Sequence, residues 1–184
     1  MKKILFLSAS LLLLLSAGCQ LQRTTTPAPP RETVKIVRHS DLPIKFDVKT
    51  REAETRRFLA LINRYRAQKG LRPLTTDKKL QRAAQWMSDD MADKNYLDHH
   101  DSKGRDPFQR LVAFGYNYNT AMAENVAAGQ KTAAKVLKAW QESSTHNRNM
   151  LDPHYTVIGI GFSYGKKTKY GWYWATSFGG QKSR

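Results

Sequence analysis

Cysteine is almost absent from the 184-residue sequence, which contains only Cys19. A chain with a single cysteine forms no internal disulfide, even in a compartment that permits one. The folded part must therefore be stabilised by its hydrophobic core. Residues 51–180 are numerous enough to bury the core of one ordinary domain, so a scaffold held together by disulfides is excluded.

Long apolar runs are also scarce. Ile4–Leu15 is almost unbroken and follows the basic pair Lys2 and Lys3, a pattern typical of a secretion signal. The run is too short to span a bilayer as a stable anchor. Residues 1–19 are therefore predicted to be a signal peptide that does not belong to the folded protein.

The signal ends in Ser-Ala-Gly-Cys, small residues directly before Cys19. This ending resembles the lipobox of bacterial lipoproteins, although Ser16 stands where leucine is usual. The resemblance implies that Cys19 is lipidated and anchors the protein to a lipid bilayer in the bacterial cell envelope. Because Gln20 is not an aspartate, the outer membrane is the expected destination in a Gram-negative host. The alternative is a soluble secreted protein cut near Ala17.

Acidic residues are few: 15 Asp and Glu stand against 31 Lys and Arg, for a formal net charge of +16. Removal of Lys2 and Lys3 with the signal lowers this charge to +14, since no acidic residue lies in the signal. Such a field favours encounter with an acidic polymer or an anionic membrane surface, and it carries no information about the fold. No specific nucleic acid is expected as a partner.

Residues 20–50 are rich in Thr, Pro and basic side chains, and Thr24–Pro30 reads TTTPAPP. Proline fixes φ and removes hydrogen-bond donors, so this segment is predicted to be an extended tether. Its second half contains apolar residues. Two outcomes stay open for that half, an added strand or a path along the domain surface.

Four helices are predicted from apolar periodicity and capping residues. The first covers Arg51–Lys69 and ends at Gly70, and the second is capped by Thr76 or Asp77. A short third helix begins at Asp106-Pro107, and the fourth runs from Thr132 to about Ser143. The inward faces comprise Phe58, Leu61, Ile62 and Tyr65 in the first; Leu80, Ala83, Ala84, Met87 and Met91 in the second; Phe108, Leu111 and Phe114 in the third; Ala133, Val136, Leu137 and Trp140 in the fourth.

The carboxyl-terminal part predicts a β-hairpin. Thr156–Tyr164 and Gly171–Phe178 are rich in aromatic and β-branched residues, and Gly165–Lys169 forms the turn. Helices flanking a small antiparallel sheet give an α+β layered domain, assigned to residues 51–184.

Short motifs occur in a specific order along the chain: L-I-N-x-x-R, LxxxAQxMSxxM, Y-x-x-H, P-F-x-R-L, G-Y-x-Y, A-E-N-V-A-A-G, A-W followed six residues later by His, and N-M-L-D-P-x-Y-T-x-I-G-I-G. This set resembles the CAP superfamily, which contains the cysteine-rich secretory, antigen 5 and pathogenesis-related 1 proteins. It is more similar to the short bacterial members, and the likeness covers Phe58–Gly179. The resemblance implies an α-β-α sandwich whose cleft presents two histidines and two acidic residues.

Carried over by position, the resemblance assigns His99, Glu124 and His146 to the cleft. His100 then neighbours the site without belonging to it. The position of the second acid holds Ser143, and Glu142 one residue earlier is an uncertain substitute, so a triad is expected.

A carboxylate beside two imidazoles can raise a histidine pKa, orient a ring or complete a metal site. His99 and His146, with Glu124, could bind zinc and leave an open position for water. The alternative is a hydrogen-bonded polar network without metal. Asn125 is expected to anchor backbone, and His39 and His154 are expected at the surface.

Two functions from different classes remain open at this point. The first is a binding module whose cleft holds a lipid, glycan or peptide. The second is a hydrolase acting on peptide, peptidoglycan or nucleic acid, in which His99 or His146 is the general base and Glu124 orients it, with or without a metal-bound water.

Overall fold

A computed structural model describes residues 48–117 and 120–180 of the chain. Cys19, His39 and residues 20–47 of the predicted tether lie outside this part. The described residues form five helices and four strands, in the order α1 (Val48–Gln68), β1 (Thr75–Thr76), α2 (Lys78–Lys94), α3 (Pro107–Ala113), β2 (Met122–Ala128), α4 (Ala133–Glu142), α5 (Ser144–Leu151), β3 (Val157–Tyr164) and β4 (Trp172–Gly179).

The four strands form one sheet in the order β1-β3-β4-β2. β4 pairs antiparallel with β3, which confirms the predicted hairpin, and it also pairs antiparallel with β2. β1, a strand that was not predicted, pairs parallel with β3, which is a local difference from the small antiparallel sheet expected. The difference arises because Thr75 and Thr76 pass alongside the start of β3 on the way into α2, where Thr75 N donates to Thr156 O at 3.0 Å and Asp77 N to Ile158 O at 3.1 Å.

Helices cover both faces of the sheet, which confirms the α-β-α sandwich. On one face α1, α4 and α5 share a core with β3 and β4, and Trp140 and Trp174 are its largest side chains. On the other face α2 packs against β3 and β4. Its close approach depends on Gly159 and Gly161, since a Cβ at either position would overlap the backbone of α2.

The predicted inward stripes of α2 and α4 are confirmed, because every residue named for them is buried. α1 begins at Val48, three residues before the predicted start, so the end of the predicted tether forms its first turn. Phe108 was wrongly placed on the inner face of α3, where it is 50% exposed. Three elements were missed: the two-residue strand β1, β2 and α5. β2 carries Glu124, and α5 carries His146.

Among the helices in the described ranges, none combines the length and the apolar character needed to cross a membrane.

Candidate functional site

Glu124 is at the centre of the predicted site. It lies on β2 opposite Ser177 of β4, and its side chain is only 2% exposed. Both carboxylate oxygens are used: Oε1 lies 3.0 Å from Nδ1 of His99, and Oε2 accepts a hydrogen bond from Nη2 of Arg110. The carboxylate thus joins a buried cation to a histidine.

Arg110 is fully buried and projects from α3. Asp106 caps that helix by accepting from the backbone of Gln109, whose side chain in turn accepts from the Asp106 backbone, and this capping box fixes the start of α3. Besides Glu124, the guanidinium contacts the Asp101 carboxylate at 3.5 Å and donates to the backbone carbonyl of His99 at 3.3 Å. Two buried carboxylates therefore balance its charge, and the same group holds the backbone of His99.

His99 lies at the open end of this chain of contacts, with its side chain 48% exposed. The hydrogen bond to Glu124 raises the pKa of His99, and partial burial opposes this effect. Because Nδ1 faces Glu124, the Nε2 atom is left for a ligand. His99 is therefore an imidazole held by Glu124, and this contact stabilises its charged form.

His146 lies on α5 and is held by neighbours of its own. Its Nδ1 lies 2.8 Å from Oγ of Ser143, and its ring stacks on Trp140 with 6.2 Å between centroids. Burial lowers the pKa of His146, and the nearby charge of His99 lowers it further. The surroundings thus shift the pKa values of the two histidines in opposite directions.

Two asparagines attach α5 to β2 and so bring the histidines together. The Asn125 side chain is fully buried and donates to the backbone carbonyl of His146 at 3.1 Å, as expected for an anchor of backbone. Asn149 donates to Asn125 Oδ1 at 2.9 Å and to the Glu124 carbonyl at 3.3 Å. The structure thus connects all three residues to β2: Glu124 lies on this strand, His99 contacts it from the loop after α2, and the backbone of His146 on α5 is held by Asn125.

Glu142 does not join them. Its side chain is 66% exposed and lies 3.8 Å from the ammonium of Lys138 on the solvent side of α4. Because Glu142 precedes the second-acid position by one residue, its side chain points away from the cleft. Ser143, which occupies that position, contacts His146 instead. His100 is also exposed and pairs with Asp98, and His154 lies at the surface as expected.

No group of three or more His, Cys, Asp or Glu side chains within residues 48–117 and 120–180 is arranged to hold a metal ion. The residues proposed for zinc are among those described. Glu124 directs one oxygen to His99 and the other to Arg110, so it is engaged within the protein. A divalent ion would depend on the Nε2 atoms of His99 and His146 alone.

Sequence reasoning gave no role to Arg110, Ser143 or Asn149. Arg110 was present in the P-F-x-R-L motif, and a lone arginine among apolar residues at the start of a helix was the available signal. Ser143 was recognised only as the residue standing where an acid was expected. No local pattern distinguished Asn149 from a surface asparagine.

Comparison with known proteins adds an independent result. A family model, described as CAP: Cysteine-rich secretory protein family, matches residues 59–178. The uncharacterized protein YkwD of Bacillus subtilis is 43% identical over 110 residues, which cover 60% of this chain and 42% of that protein. The uncharacterized membrane protein YlbC of the same organism is 27% identical over 113 residues, 61% of this chain and 32% of its own. The chain thus spans less than half the length of these curated relatives.

Solved structures share the architecture. An outer surface protein from Borrelia burgdorferi superimposes with a TM-score of 0.66 at 21% identity, covering 75% of this chain and 98% of that one. An extracellular protein containing an SCP domain from Bacillus anthracis gives a TM-score of 0.64 at 22% identity, covering 74% and 45% respectively. At these identities the likeness establishes the fold.

Proposed function

Because the chain belongs to the CAP family, whose model matches most of the described domain, we propose that it is an envelope-anchored binding module. The cleft containing His99, Glu124 and His146 holds a lipid, glycan or peptide, and lipidated Cys19 attaches the module to the membrane. The similarity to proteins described as extracellular or outer-surface is in keeping with this location.

One observation carries the proposal: a fully buried arginine and a buried carboxylate support a histidine that is half exposed. Buried ion pairs contribute little net stability, because desolvation of both charges offsets their attraction. The Arg110–Glu124 pair is therefore poorly explained as a stabilising device. It is well explained as the support that fixes the ring of His99 for contact with a ligand.

The two imidazoles offer complementary hydrogen bonds. His99, whose pKa is raised, donates from Nε2–H in its charged form. Neutral His146 accepts at Nε2 when its Nδ1–H donates to Ser143. A ligand that presents an acceptor beside a donor, such as an amide or a sugar hydroxyl, satisfies both.

The proposal is tested by measuring binding to three probes: anionic phospholipid vesicles, purified peptidoglycan and a mixture of N-acetylated tripeptides. We expect one probe to bind, and His99→Ala and His146→Ala each to weaken that binding by at least about ten-fold. His154→Ala is the matched control, since His154 is an exposed histidine away from the cleft. Binding that is equal in all three variants would contradict a role for the cleft.

A second candidate function is a histidine-based hydrolase. It is favoured by the opposite pKa directions of His99 and His146, because a pair of titratable groups pushed apart can serve as acid and base. His99 would donate a proton to the leaving group while His146 takes one from the attacking water. Turnover of peptidoglycan or peptide that His146→Ala abolishes and His154→Ala leaves intact would establish it in place of simple binding.

A further inference from the structure

A second concave site lies away from the histidines. It is a groove of about 600 Å³ bordered by α1, α2 and β3, and none of His99, Glu124 and His146 lines it. Its volume is in the range typical of small-ligand sites. We call it the α1–α2 groove.

The edge of β3 beside the groove is already covered, although β1 pairs with only its first two residues. The Gln81 side chain donates to the Ile160 carbonyl at 2.6 Å and accepts from its N–H at 3.1 Å. Gln85 makes the same pair of contacts to Phe162, at 3.3 and 3.4 Å. Two side-chain amides thus take the place of a neighbouring strand, and a ligand in the groove must bind by side-chain groups and apolar contact.

Asp89 is the most deeply buried charged residue of the groove lining, at 3% exposure. Its Oδ1 accepts from Arg51 and Gln85, both at 3.1 Å, and from the Ser163 hydroxyl. Its Oδ2 is buried and has no hydrogen-bond partner among the described residues. An unsatisfied buried carboxylate oxygen is costly, so a ligand that donates to it would gain this lost contact.

The groove differs in character toward its open side. Lys78 is exposed and forms no ion pair within the described ranges. Arg56, by contrast, forms an ion pair with Glu52 at 3.4 Å. Aliphatic carbon from Leu59 and Ile160 contributes to the lining. The site therefore combines a buried acceptor, an apolar wall and, besides the lining arginines Arg51 and Arg82, an exposed cation at Lys78.

We propose that the α1–α2 groove binds a short apolar peptide by its free amino terminus, with the ammonium donating to Asp89 Oδ2 and the carboxylate end near Lys78. This ligand matches all three features at once. A fatty acid would direct its methyl end inward and leave Oδ2 unpaired. A glycan is disfavoured because no aromatic side chain among the lining residues offers a surface for stacking on a sugar ring.

Calorimetric titration of the full chain with alanyl-leucyl-alanine and with its N-acetylated form tests the proposal. We expect the free peptide to bind at least about ten-fold more tightly than the acetylated one. Asp89→Asn should abolish this difference, since the amide keeps the shape of the carboxylate and loses its charge. Lys78→Ala should weaken binding, and Lys135→Ala, an exposed lysine on α4, is its matched control.

Two further variants separate this groove from the histidine cleft. Thr55→Trp, which fills the groove from α1, should remove binding, and His99→Ala should leave it unchanged. Equal binding of the free and acetylated peptides, or no binding of either, would overturn the proposal. So would loss of binding in His99→Ala, which would place the peptide in the cleft instead.

Discussion

At the scale of single residues, the clearest consequence concerns His99. Its pKa is raised in the folded protein by Glu124, so the folded state binds a proton more tightly than the unfolded state does. The stabilisation from this contact is fully present below the unfolded histidine pKa and is lost as pH rises through the folded value. We therefore expect His99→Gln to lower the free energy of unfolding more at pH 5.5 than at pH 8.5.

Urea titrations of the wild type and His99→Gln at both pH values provide the measurement. His100→Gln is the control, because His100 is exposed and outside the cleft. A destabilisation by His99→Gln that is the same at both pH values would show that Glu124 does not favour the charged ring.

Asp89 gives the same sign over a lower pH range. Burial is the main cause that raises its pKa to about 6 from an ordinary 3.8, with Asp93 adding to the rise, while Ser163, Arg51 and Gln85 oppose it. Between these two values the folded state holds the proton more firmly, so ionisation costs stability as pH rises. A difference of this size corresponds to at most about 3 kcal/mol.

We therefore expect the wild type to lose stability, relative to Asp89→Asn, as pH is raised from about 4 to about 6. Urea titrations of both proteins across this range give the comparison. Parallel stability curves would mean that Asp89 titrates near its ordinary value in the folded protein.

Among the elements, α4 is expected to contribute to the free energy of unfolding through Trp140. Trp140 is 1% exposed, meets Phe58 of α1 edge-on at 5.4 Å and also stacks on the ring of His146. Trp140→Ala should lower the free energy of unfolding by about 3 to 5 kcal/mol, because it empties a large space in the core. Denaturant titration against Lys135→Ala, an exposed change on the same helix, measures it, and a loss below about 1 kcal/mol would contradict the packing.

The same elements show where sequence reasoning succeeded and where it did not. The buried faces of α2 and α4 were predictable because helical periodicity repeats over several turns. The start of α3 was predictable because Asp106 is a typical N-cap and Pro107 a typical first helical residue. β2 was missed because Glu124 and Asn125 are polar residues buried by tertiary contacts, which breaks the alternation expected of a strand. α5 was missed because it is short and polar, and it is attached by Asn125 and Asn149.

The cleft illustrates the same limit. Family resemblance nominated His99, Glu124 and His146, but no spacing in the sequence indicates that Arg110 balances Glu124 or that Ser143 contacts His146. Such contacts depend on how α3 and α5 dock onto the sheet. Glu142 illustrates this dependence, because its carboxylate, one residue from the position of the second acid, points to solvent and does not reach the cleft.

At the scale of the whole molecule, metal binding is testable through stability. A ligand that binds only the native state raises the melting temperature. If a divalent ion binds the Nε2 atoms of His99 and His146, zinc should raise the melting temperature of the wild type, and either alanine variant should abolish the rise. His154→Ala should retain it. Melting that is independent of zinc in every variant would leave the hydrogen-bonded network as the state of the site.

Cys19, which we propose as the membrane anchor, lies outside the described residues. The small residues before it resemble a lipobox, and the basic charge of the remaining chain favours an anionic surface. One acyl chain alone binds membranes weakly, so stable anchoring requires more than one chain or added basic attraction.

Cys19→Ser should therefore move the protein from the detergent phase to the aqueous phase of a partition assay, with the fold unchanged. Gln20→Asn is the control, since it preserves the cysteine. Detergent partitioning that persists in Cys19→Ser would show that another feature holds the protein at the membrane.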